Sequence, residues 1–122
     1  MKLYQQLAQT FTALVNCQNS DTLSSWEDAH LERIEALCAK HLPSGSGYDS
    51  GTTFDDVASK PERLVFNTAF HHMDEHGGWT HHTVILTPSL AHGFNLRITG
   101  KDRNMIKTYM EDTFSAAFNS EL

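Results

Sequence analysis

A chain of 122 residues, 39% hydrophobic and 20% charged, is long enough to bury one core without disulfide staples. Its net charge of −6 and the lack of any basic block argue against binding nucleic acid, where Lys and Arg must replace phosphate counterions. No apolar run approaches the ~20 residues of a membrane span, and MKLYQQLAQTF is too broken by Gln and Thr to read as a secretory signal.

An acidic surface of this kind suits a basic partner instead. Cys17 and Cys38 each fall inside a helical pattern, and two thiols in a chain that can build a core fit a reduced, cytoplasmic protein. A bridge between them would need the first two helices to bring them together, and is not expected.

Leu3, Leu7, Phe11 and Leu14 keep helical spacing, with Gln and Thr on the other face, so the spacing predicts an opening amphipathic helix. Asn19-Ser20-Asp21 interrupts it. Ser24 followed by Glu27 reads as a capping box for a second helix, with Asp21 as an earlier candidate cap. Leu31, Ile34, Leu37 and Cys38 form its apolar stripe, Trp26 is expected in the core, and Pro43 ends it.

PSGSGYDSGTTFDD is the one long turn-forming stretch. Beyond Pro61 the period changes to two, in RLVFNTAFHH, WTHHTVILT and FNLRIT. These predict antiparallel strands joined by a hairpin through the histidine-rich tip, then by a turn at 88–93. A last helix, capped by Thr99 or Asp102, carries Ile106, Tyr109, Met110, Phe114, Ala117 and Phe118 at i, i+3, i+4 spacing.

The expected fold is α+β. It has two N-terminal helices (1–42), a glycine-rich loop (43–62), a three- or four-stranded antiparallel sheet (63–99) and a C-terminal helix (102–119) on one sheet face.

HHMDEHGGWTHH, residues 71–82, holds five of the eight histidines. If Phe66 pairs with Leu86 and Thr68 with Val84, His71 stands opposite His81 on the uncovered face. A slip of two residues would set His72 opposite His82 instead. With Glu75 and His76 from the tip, His71 and His81 offer the nitrogen and oxygen ligands that zinc accepts. HMDEH also fits the H-x-x-E-H pattern of some zinc peptidases. That pattern needs a helix, whereas Gly77-Gly78 and period-two strands surround it here.

Asp49-Ser50-Gly51-Thr52 has the D-[ST]-G-[ST] form of aspartic peptidases, but it follows a glycine-serine loop rather than an apolar strand. The same loop could act as an anion nest for a phosphate. Trp79, beside Gly78 at a strand start, is a candidate contact anchor.

LPSGSGYDSGTTFD, LVFNTAFHHM, GWTHHTVILTPSL and GFNLRITGKDRNMIKTYMEDTF, between Leu42 and Phe114, resemble a group of small proteins encoded by bacteriophages and mobile elements of bacteria. The resemblance implies an accessory or anti-defence role, without assigning any residue a part in it.

The resulting expectation is a non-enzymatic inhibitor-like binding protein, a monomer or homodimer. It would meet a host protein or small defence-related ligand through Tyr48, Asp49, Ser50, Thr52, His71, Trp79 and His81. The alternative is a zinc hydrolase using His71, His81, His76 and Glu75 as ligands, with Glu75 or Asp49 as base.

Overall fold

The computed structural model describes residues 1–18, 24–43, 51–72, 78–91, 93–99 and 104–122. Among these residues are three helices: α1 (Leu3–Gln18), α2 (Ser24–His41) and α3 (Asn104–Phe118). Four strands accompany them: β1 (Thr53–Phe54), β2 (Leu64–His72), β3 (Gly78–Ser89) and β4 (Gly93–Thr99). The strands form one antiparallel sheet in the order β1-β2-β3-β4. The expected α+β architecture stands, with the short β1 as the fourth strand.

The helices share one face of the sheet because the period-two pattern of the strands supplies one apolar face. Leu64, Phe66, Val84, Leu86, Phe94 and Ile98 point into a core completed by Leu3, Leu7, Phe11 and Leu14 of α1 and Ile34 and Cys38 of α2. Met110, Phe114 and Phe118 of α3 close it. A chain of rings runs through the centre. Phe66 lies 5.4 Å from both Phe54 and Phe118, and Phe118 lies 5.8 Å from Phe94.

Two helical details differ from the sequence reading. Leu31 and Leu37 are only partly buried at the edge of the core, while Ile34 and Cys38 are its centre. Tyr109 does not join the buried stripe of α3; it is 58% exposed. Each residue turns the helix by about 100°, so a stripe centred on Met110, Phe114 and Phe118 carries Tyr109 round to solvent. The capping candidates Asp21 and Asp102 and the side chain of Trp26 lie outside the described residues, and Thr99 ends β4.

Neither cysteine forms a disulfide. Burial, with Glu35 adding to it, pushes the Cys38 thiol up to about 12, which makes it an inert core side chain rather than a nucleophile. Among the described residues no helix is long and apolar enough to cross a membrane.

The turn after β1 is pinned to the edge of β2. Asp55 N–H donates to the Val65 carbonyl at 2.9 Å, and the Val65 N–H donates to Ser59 Oγ at 2.9 Å. Asp55 Oδ1 accepts the Ala58 N–H at 3.0 Å and Oδ2 accepts the Asn67 side-chain amide at 3.1 Å. These bonds, the Ala58 one first, hold the Asp55 carboxyl below the usual carboxylate range.

A depressed folded pKa stabilises the fold above the unfolded value of about 3.9, and that contribution is lost as pH falls through the folded value. Asp55→Asn keeps a capping carbonyl but removes the charge. Its thermal midpoint is expected below wild type at pH 7 and should converge on wild type in acid. A constant offset down to about pH 2 would assign the effect to shape rather than charge.

Candidate functional site

Successive strand residues alternate between faces, so His81 and His82 part company. His82 turns into the helix side and is 3% exposed, whereas His81 is exposed on the face that no helix covers. Thr68, opposite His82, is also buried.

The pairing between β2 and β3 is neither of the two expected registers. Phe66 stands opposite Val84, Thr68 opposite His82, Ala69 opposite His81, and His71 opposite Trp79. His71 and His81 are therefore diagonal positions, on the order of 7–8 Å apart rather than about 5 Å. His72 pairs with Gly78, not with His82. A shift of two residues returns every side chain to the same face, so alternation of apolar and polar residues cannot choose between such registers. The described pairing runs out to His72 opposite Gly78.

A hollow of about 410 Å³ lies between β1, β2 and β3, lined by Thr53, Asn67, Ala69, His81 and Thr83 of the uncovered face together with Gly51, Thr68 and His82. Asn67 on its rim is hydrogen-bonded on three sides. The Asn67 amide donates to Asp55, its Oδ1 accepts from Thr83 Oγ1 at 3.4 Å, and its backbone carbonyl accepts from Thr53 Oγ1 at 3.4 Å. Neighbouring register positions extend the face to His71 and Trp79 along the hairpin, and to Arg97 across β4.

Thr52 has a different place from the one expected. It is 6% exposed; its hydroxyl donates to the Pro43 carbonyl and shares a 3.2 Å hydrogen bond with Thr68. That arrangement ties the end of the glycine loop to α2 and the sheet. Tyr48, Asp49, Ser50, Glu75 and His76 lie outside the described residues, as do the side chains of His71 and Trp79. Among the described residues no three His, Cys, Asp or Glu side chains converge as a metal site.

Sequence reading misses a second concavity, at the other end of the sheet and on its helix side. It has a volume of about 400 Å³ and lies between α1, the start of β2 and the turn from β3 to β4. Gly93 shapes it: its φ of +84° suits a residue without Cβ, and a Cβ there would collide with the Tyr4 hydroxyl and lie 2.9 Å from Tyr4 Cζ. Tyr4 therefore lies across the Gly93 backbone, its ring 4.8 Å from that of Phe94. The signal in the sequence is no more than a glycine at a strand start. The Tyr4 approach is a tertiary contact that local pattern does not encode.

No family model, curated protein or solved structure matches the chain.

Proposed function

We propose that the chain is a small non-enzymatic binding protein of the accessory, anti-defence type, a monomer or homodimer acting in the cytoplasm. It captures a host protein or a small defence-related ligand on the uncovered sheet face. The observation that carries this reading is the hollow around Ala69, whose rim group Asn67 is already held by Asp55 and Thr83. Polar groups fixed in advance lose little freedom on binding, which favours recognition.

Two further features support it. The register continues the same face to Trp79, the residue type most often found at the energetic centre of an interface. The net charge of −6 favours encounter with a basic partner and weakens at high salt.

The test is capture of host partners by the immobilised chain, compared between wild type and Thr83→Arg. Thr83 is a half-buried rim residue, and an arginine there places bulk and charge over the hollow. Capture is expected to fall at least tenfold, on the order of 1.4 kcal/mol, with the circular dichroism unchanged. Undiminished capture of the same partner by a folded Thr83→Arg protein removes this face from the function.

A further inference from the structure

The geometry points to a second binding site, the concavity built on Gly93, which takes a neutral ring-containing small molecule bearing a hydrogen-bonding group. This inference goes beyond the sheet-face reading and concerns other residues. The two hollows share no lining residue.

Volume sets the size of the ligand. About 400 Å³ lies near the lower end of the ~300–1,000 Å³ typical of small-molecule pockets, which suits a compact ligand of two or three rings. The walls set its polarity. Leu64, Leu86 and Phe94 in its lining are almost wholly buried, Ala8 is half-buried and Pro88 is exposed. Among the described lining residues the one charged group is the α-ammonium of Met1, and it is paired with the Glu121 carboxylate at 3.3 Å. With that charge already met by Glu121, a charged ligand would give up water without gaining a free counter-charge, so the site favours neutral ligands.

The rim supplies polar handles. The Tyr4 hydroxyl and the side-chain amides of Gln5 and Gln9 can donate or accept, and Gln5 Oε1 already accepts the Lys2 backbone N–H at 2.9 Å. The two tilted rings of Tyr4 and Phe94 form an aromatic corner against which a planar ring can stack. Gly93 is the independent sign that the space is built. A left-handed backbone position without a Cβ is placed where a side chain would push Tyr4 out of that corner.

The probe is N-phenyl-1-naphthylamine, neutral and fluorescent in apolar surroundings, titrated into the full chain. Its anionic relative 1-anilinonaphthalene-8-sulfonate differs chiefly by a sulfonate and serves as the charge control. Saturable one-site binding of the neutral probe is expected, at least tenfold tighter than the sulfonate. Ala8→Leu, which adds bulk to the lining, should weaken it at least tenfold. Gln9→Trp, a change at an exposed rim position, should do the same without touching the core. Thr83→Arg, at the other hollow, should leave the probe affinity unchanged, so failure of this site and failure of the sheet face are separable. Absence of saturable binding, equal affinity for the sulfonate, or full affinity in folded Ala8→Leu and Gln9→Trp proteins would each overturn the assignment.

Discussion

Phe114→Ala is expected to destabilise the protein by about 3–5 kcal/mol in denaturant melts. Phe114 is fully buried on α3, and its ring lies 6.2 Å from Phe118, which in turn meets Phe66 and Phe94. Truncation removes transfer free energy and leaves a cavity in the closed core beside the Phe118 ring. Tyr109→Ala on the same helix, 58% exposed, is expected to stay within about 0.5 kcal/mol of wild type. Equal losses at the two positions would mean that α3 packs through a different face from the one described.

The second large effect belongs to a glycine. Gly93→Ala should cost on the order of 2–4 kcal/mol, combining the penalty of a left-handed backbone for an L-residue with a collision against Tyr4. The two parts separate in a double-mutant cycle. With Tyr4→Ser as background the collision is gone, and Gly93→Ala should then cost only the backbone share of about 1–2 kcal/mol. An identical cost in both backgrounds would show that Tyr4 does not lie over Gly93.

The sequence announces the faces of this molecule better than its pairings. Leu3, Leu7, Phe11 and Leu14 are legible as a buried helix stripe, and Leu64, Phe66, Val84 and Leu86 as the core face of a sheet, because burial imposes a period. Register is not encoded that way. His71 opposite His81 and His71 opposite Trp79 bury the same residues, so the period does not choose between them. β1 has only two residues, too few for a period to show, and it is held by Phe54 packing between Phe11 and Phe66. Thr52 reads in the sequence as part of a glycine-rich binding loop. Its burial depends on Pro43 and Thr68, which only the folded chain brings to it. The aromatic corner of Tyr4 and Phe94 is likewise a meeting of distant segments.

The uncovered face as a binding surface, rather than a metal centre, is tested most directly by comparing Trp79→Ala and His81→Ala for partner capture and zinc content. At a protein interface a central aromatic dominates and most other truncations cost little, whereas a catalytic zinc site depends on each ligand it has. Trp79→Ala is expected to reduce capture at least tenfold, about 1.4 kcal/mol, while His81→Ala changes it little and neither protein carries stoichiometric zinc. Capture that survives Trp79→Ala but fails in His81→Ala, together with one zinc per wild-type chain released by that histidine change, would contradict the account and make the hairpin a metal centre.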